Sequence, residues 1–262
     1  MALHKEQAKW LDDWLSSGEP VPDIRETWSD FSRDDAYPLQ LALMNRRVAA
    51  GDRIAGYKAA LTSKAMQEQI GIHESLLGTL LASRVLPGDS SISLSGRQFM
   101  RATLEPEIAI VMGENLSGPN VDAVTARLAV AGYAPALELG DYRAEQAFGQ
   151  TFEGGVICNT FNGAVLIGQP ICSPDGVDLR TEGMSLYRNG EAIGSGTGVE
   201  VLGDPLNSVA FMANKLAEYG RELKAGMVLM TGSIVASIPL EVGDHVEASF
   251  TRLGSVSVQI EP

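Results

Sequence analysis

The chain has 262 residues, 45% of them hydrophobic, enough for one large core or a core with an appendage. Its 20 basic and 33 acidic side chains give a net charge of -13, which argues against nucleic acid or anionic membrane as a partner. No apolar run approaches a membrane span, the first residues lack the apolar core of a signal peptide, and two cysteines make neither a disulfide framework nor a zinc spacing, so a reducing cytoplasm is the expected home.

Residues 1–53 read as a helical segment. Leu3 to Leu15 has mixed helical periodicity, and Gly18-Glu19-Pro20-Val21-Pro22 breaks it. A second helix is predicted from Arg33 to Ala50, with Ser32 as N-cap, Asp34 and Asp35 in its first turn and Gly51 as its stop. From Ile54 the pattern changes to short β segments, with strands predicted at 54–61, 103–112, 133–140, 163–168, 183–188, 227–231, 246–250 and 255–260. Helices are predicted from Val121 to Ala131 and from Pro205 to Tyr219, the latter with Asp204 as N-cap, proline at its first position and Gly220 beyond its end. Many strands with few helices make an α+β chain, with a β-rich core over residues 54–262. No G-x-G-x-x-G opens a helix after a strand, since the Gly194–Gly198 run is too short, and a nucleotide site is not expected.

The chemistry concentrates in Thr103-Leu104-Glu105-Pro106-Glu107-Ile108. In an extended segment Glu105 and Glu107 share a face, and two carboxylates on an apolar strand are tolerated best with a cation between them. Glu138, in the apolar run Ala134–Leu139, completes an all-oxygen set suited to Mg²⁺ or Mn²⁺ rather than zinc. The alternative is a solvated strand face. The three histidines, His4, His73 and His245, are scattered, so neither a His-centred triad nor a His-based metal site is expected.

Several segments together resemble the 2-keto-4-pentenoate hydratase and 4-oxalocrotonate decarboxylase group of the fumarylacetoacetate hydrolase superfamily. They are GYKAALTSKAMQEQIGI (56–72), GTL (78–80), LEPEIAIVMG (104–113), APALELGDYR (134–143), GTGVEVLGDPLNSVAFMANKLAEYG (196–220) and LKAGMVLMTGS (223–233). The resemblance implies a β-rich core of the fumarylacetoacetate hydrolase type with a divalent metal, Mg²⁺ or Mn²⁺, held by Glu105, Glu107 and Glu138. That metal would chelate the carboxylate and 2-oxygen of a small anionic 2-oxo acid or 2-hydroxydienoate. Lys58 matches the active-site lysine. Thr231, Gly232 and Ser233, with Arg143 and Asn159, are the implied substrate-binding residues, and Asp141 is an implied neighbour of the site or of a subunit contact. A homo-oligomer is implied, alone or in complex with a related lyase.

The implied activity is hydration of a 2-hydroxy-2,4-dienoate to a 4-hydroxy-2-oxo acid in the breakdown of aromatic or other ring compounds. The alternatives are a 4-oxalocrotonate-type decarboxylase and a non-catalytic partner subunit. Three departures bear on the reaction. Leu76 stands where many hydratases carry an acid, Ala60 replaces a glycine of the lysine motif, and Cys158 replaces the aspartate that usually precedes Asn159. Either Glu74 or His73 supplies the missing acid, or substrate and reaction differ. Phe148 and Phe152 are expected in the core, with a pocket wall as their alternative place.

Overall fold

The computed structural model describes residues 2–95 and 99–262. The chain opens with helices α1 (Ala2–Ser17), α2 (Ile24–Thr27) and α3 (Arg33–Ala49). Helix α3 starts where its capping residues place it: the Asp35 carboxylate accepts from the Ser32 N–H at 3.0 Å and from its hydroxyl at 2.7 Å. The segment is tied to the rest of the molecule. Gln40 Nε2 donates to the carbonyls of Leu77 (2.9 Å) and Val156 (2.8 Å), and the Leu77 N–H donates to the Tyr37 hydroxyl (2.9 Å).

The elements that follow are β1 (Ile54–Ala60), α4 (Lys64–Ile70), β2 (Leu76–Leu81), β3 (Val85–Pro87), β4 (Ser90–Ser93), β5 (Ala102–Met112) and α5 (Ala123–Leu128). Next come β6 (Val130–Asp141), α6 (Gln146–Gly149), α7 (Phe152–Ile157), β7 (Asn162–Ile167), β8 (Gly183–Arg188), β9 (Glu191–Thr197) and α8 (Pro205–Ala217). The chain closes with β10 (Val228–Ser233), β11 (Ile238–Pro239), β12 (His245–Phe250) and β13 (Gly254–Glu261). Each predicted strand is present. The helix expected over Val121–Ala131 is cut to α5, because the backbone from Val130 onward pairs with β5.

The larger sheet has the order β2-β1-β10-β5-β6-β7-β3, with β11 continuing the track of β10 along β5. Strands β2 and β3 lie at opposite ends of this order, yet only Ala82–Arg84 joins them. That link spans at most about 14 Å. The two edges must therefore approach, and the sheet curls into a nearly closed barrel. Its interior is packed by Leu80, Ala109, Ala134, Ala136, Val165, Ile167 and Met230. The alternate residues of the same strands, such as Ile108, Leu137 and Leu229, belong to the main core. Helix α8 packs on β10 and β1, and a second sheet of order β4-β13-β12-β8-β9 packs on β6 and β7.

Candidate functional site

Strand alternation places Glu105 and Glu107 on the interior face of β5, four and two residues before Ala109. The β5–β6 register sets Glu138 directly opposite Glu105, again on the interior face, two residues after Ala136. One carboxylate oxygen from each of the three lies within 4.8 Å of the others. Glu107 and Glu138 are 0% and 1% exposed, whereas Glu105 is half-buried, so the cluster opens to solvent on the Glu105 side. Parallel pairing of β1 with β10 brings in Lys58, itself buried. Its Nζ lies 2.7 Å from both Glu138 oxygens and 3.3 Å from the Thr160 carbonyl.

Three acids and one lysine leave this pocket with excess negative charge. Burial raises the pKa of Glu105, and Lys58 only partly offsets it. Glu107 is pushed well above the ordinary carboxylate range by burial and then by Glu138. At Lys58 burial opposes the ammonium, but the three carboxylates outweigh it and hold the lysine above its ordinary value. Glu107 Oε1 is buried without a hydrogen-bond donor, and Glu138 Oε2 meets only the Lys58 ammonium, at 2.7 Å. Their sister oxygens are fixed, Glu107 Oε2 by the Gly232 N–H at 2.7 Å and Glu138 Oε1 by Asn162 Nδ2 at 2.8 Å. Oriented, anionic oxygens in a dry cluster, one of them orphaned, fit a hard divalent cation.

The structure brings the Thr231–Ser233 turn to the acids, but mainly through Gly232. The Thr231 hydroxyl donates to the Ile108 carbonyl (2.8 Å), and the Ser233 hydroxyl to the Val235 carbonyl (2.6 Å). Gly232 adopts φ +113°, and a Cβ there would lie 2.1 Å from Thr62 Oγ1. Gly232→Ala is therefore expected to lose about 1–2 kcal/mol to the left-handed backbone alone, more with the clash. A thermal melt measures that loss, and an unchanged melting temperature would contradict the close packing of Thr62 on this turn.

Arg143 and Asn159 are not brought to the carboxylates. They line a cavity of about 230 Å³ under the N-terminal helices, completed by Leu15, Ser16 and Arg47, whose wall includes Asn162, the donor to Glu138. Arg143 forms an ion pair with Asp141 and donates to the Leu15 carbonyl at 3.1 Å, while Asp141 accepts from the Met100 N–H at 2.9 Å. These two residues brace the chain around the site. Asn159 accepts from the Thr79 N–H (2.7 Å) and donates to the Thr79 carbonyl (2.8 Å), replacing a strand neighbour on the outer edge of β2. Those bonds hold a left-handed turn, Asn159–Thr160–Phe161, at φ +52°, +47° and +62°. The turn presents the Thr160 carbonyl to Lys58 and delivers Asn162 to Glu138.

The groups weighed as substitutes for the missing acid lie elsewhere: Glu74 pairs with Arg33 at the surface, and His73 is exposed. Leu76 lies on the same face of the sheet as Lys58, 3% exposed, where a Cβ on Gly155 would come within 2.9 Å of its Cδ1. Phe148 and Phe152 are core residues under the N-terminal helices, with Arg25 and Arg33 over their rings. Sequence reading missed Asn162, Thr160 and Tyr142. Nothing local marks them, because the β6–β7 register and the turn before β7 bring the first two to the acids.

The model of the family described as fumarylacetoacetate (FAA) hydrolase, C-terminal, matches residues 56–261. A protein of Paraburkholderia xenovorans named 2-keto-4-pentenoate hydratase is 32% identical over 257 residues, covering 98% of this chain and 94% of its own. A 4-oxalocrotonate decarboxylase of Pseudomonas putida is 33% identical over 261 residues, 98% of both chains. The structure of 4-oxalocrotonate decarboxylase from Pseudomonas putida G7, complexed with magnesium and adipate, superposes with a TM-score of 0.93 at 30% identity over 99% of this chain and 97% of that one.

Proposed function

Because the chain belongs to the fumarylacetoacetate hydrolase family, we propose that it is a metal-dependent lyase, a hydratase that adds water to a 2-hydroxy-2,4-dienoate to give a 4-hydroxy-2-oxo acid. The observation that carries this reading is the buried cluster of Glu105, Glu107 and Glu138 with Lys58 at 2.7 Å from Glu138. The related decarboxylase whose structure contains magnesium supports a divalent cation in this fold. Glu105, Glu107 and Glu138 would hold Mg²⁺ or Mn²⁺, which would supply positive charge to offset the negative charge developing on the substrate.

The protein's own groups do the rest. In the overall change the 2-hydroxyl loses its proton and C5 gains one; the oxygen of water then bonds to C4, and C3 takes up a proton. Lys58 is the residue we assign to the 2-oxygen, balancing its charge and passing its proton. The Thr160 carbonyl and Glu138 hold the ammonium in place, and Asn162 and Gly232 hold the carboxylates. In this reading Asn159 and Arg143 are positioning residues that fix the turn and the chain around the site. The residue 53 boundary, assembly as a homo-oligomer and a cytoplasmic location belong to the same proposal. Among the described residues no helix is long and apolar enough to cross a membrane, and both cysteines are unpaired.

A decarboxylase is the second reading. The apolar Leu76, one strand repeat from Lys58 on the same face of the sheet, favours it, since loss of CO₂ needs no acid to order water. A non-catalytic partner is disfavoured by the complete set of acids and lysine. The two activities separate in one experiment. The unmodified protein is expected to hydrate 2-hydroxypenta-2,4-dienoate weakly and to prefer a substrate with a larger, more apolar tail, whereas Leu76→Asp should raise the first rate and lower the second. Product identification by NMR, beside a melting curve because the new carboxylate is buried, checks this. Turnover of the small dienoate by the unmodified protein at the 1–10³ s⁻¹ usual for enzymes would show that the acid is not needed.

A further inference from the structure

The chain carries a net charge of -13, yet the cavity of about 230 Å³ under the N-terminal helices is cationic. Among the described residues that line it are three guanidiniums, Arg47, Arg84 and Arg143, and one carboxylate, Asp141. Asp12 takes Arg47 Nε at 3.0 Å, but it is shared with Arg46 and leaves the excess in place. Arg47 comes from the last turn of α3, Arg84 from the link between β2 and β3, and Arg143 from the segment after β6. The fold gathers them, not a run of charge. Thr79 adds a neutral group. It alternates with the interior Leu80 and so sits on the outer face of β2, 1% exposed, with its Oγ1 buried and without a hydrogen-bond partner. Burying a hydroxyl in that way costs about 1–3 kcal/mol, which a ligand's acceptor oxygen would offset. At ~30 Å³ for each water-sized group, the cavity has room for roughly seven. Its inner wall is the left-handed turn, through Asn159, Phe161 and Asn162.

We infer that this cavity is a binding site for a small oxyanion, a carboxylate or phosphate group with a few further atoms, distinct from the glutamate cluster. Guanidiniums offer such a group planar, charge-assisted hydrogen bonds, and the Thr79 hydroxyl offers one more. The occupant rests on the turn whose Thr160 carbonyl holds Lys58 and whose end delivers Asn162 to Glu138. Occupancy is thereby coupled to metal affinity at the acids, by the same factor in both directions. The site uses neither the three glutamates nor Lys58, so it stands apart from the hydratase reading.

Metal-free protein isolates this site, because three glutamates around one lysine repel anions at the cluster. Inorganic phosphate, sulfate and succinate are titrated into it by calorimetry at constant ionic strength, with sodium chloride as the control. One anion per chain is the expected result; tighter phosphate and sulfate assign a phosphate-type ligand, and tighter succinate a carboxylate. The double variant Arg47→Gln with Arg84→Gln should weaken binding at least about tenfold, the worth of one charged hydrogen bond. Thr79→Val should weaken it about threefold to tenfold and leave the melting temperature of the anion-free protein unchanged or higher, since the hydroxyl it removes has no partner there. A threonine with a structural role alone would not give that pair of results. Mn²⁺ affinity measured in sulfate and in chloride should differ about fivefold or more. Binding of none of the three anions beyond the chloride control overturns the site. Binding undiminished in the folded arginine variant and in Thr79→Val places the anion elsewhere and overturns it equally. Equal Mn²⁺ affinity in the two salts overturns the coupling. Should the arginine variant not fold, Thr79→Val decides.

Discussion

Replacing Lys58 with methionine is expected to lower turnover about 10²–10⁴-fold, the range for losing a positioned proton-transfer group. The reason lies in the site: Lys58 is the cation seated among the three glutamates, held by Glu138 and the Thr160 carbonyl. Its removal also strips a buried carboxylate of its partner, which costs roughly 3–5 kcal/mol when nothing replaces it. The metal-free variant should therefore melt well below the unmodified protein, and added Mg²⁺ or Mn²⁺ should recover much of the loss. Kinetics and melts with and without metal separate two roles. A catalytic lysine gives a metal-rescued fold with little activity; a structural one gives a fold that metal does not rescue.

Glu107→Gln keeps the shape and removes one charge. Metal affinity should drop by more than the roughly 10–100-fold typical of residues that only support a ligand. The same variant reports on protonation. Burial, then Glu138, raises the pKa of Glu107 in the folded protein above its ordinary 4.5. The folded state then binds more protons than the unfolded chain between 4.5 and that raised value. Without metal, stability should accordingly be full below pH 4.5 as far as this group is concerned and fall as pH rises through the folded pKa. At neutral pH, metal at 100 times its dissociation constant should restore about 2.7 kcal/mol. Glu107→Gln should flatten both dependences. Calorimetric titration and melts across pH measure them, and metal binding equal to that of the unmodified protein would remove Glu107 from the ligand set.

The parts of the fold legible in the sequence are those whose signals are local. Helix α8 carries its start and stop in Asp204-Pro205 and Gly220, and β5 shows its two faces by alternation. Strand β2 was not legible: all six residues of Leu-Leu-Gly-Thr-Leu-Leu are buried, so no alternation marks them. Strand β9, Glu191–Thr197, is an exposed, glycine-rich edge, where composition argues against a strand. The acids were legible because two lie on one strand and the third in a second apolar run. Asn159 was singled out as a substrate contact, but its carboxamide is committed to Thr79, a residue 80 positions away. Only barrel closure, which brings the edge of β2 to the turn before β7, makes that pairing.

The most direct measurement of the central claim follows purified protein with Mg²⁺ or Mn²⁺ on a small panel of 2-hydroxydienoates, recording dienol absorbance and released CO₂ together. Metal-dependent loss of the dienol without CO₂, stopped by a chelator and faster for substrates with longer tails, is the expected result. Dienol absorbance that stays constant in the presence of metal for every member of the panel, or CO₂ released in step with its loss, would contradict the hydratase assignment.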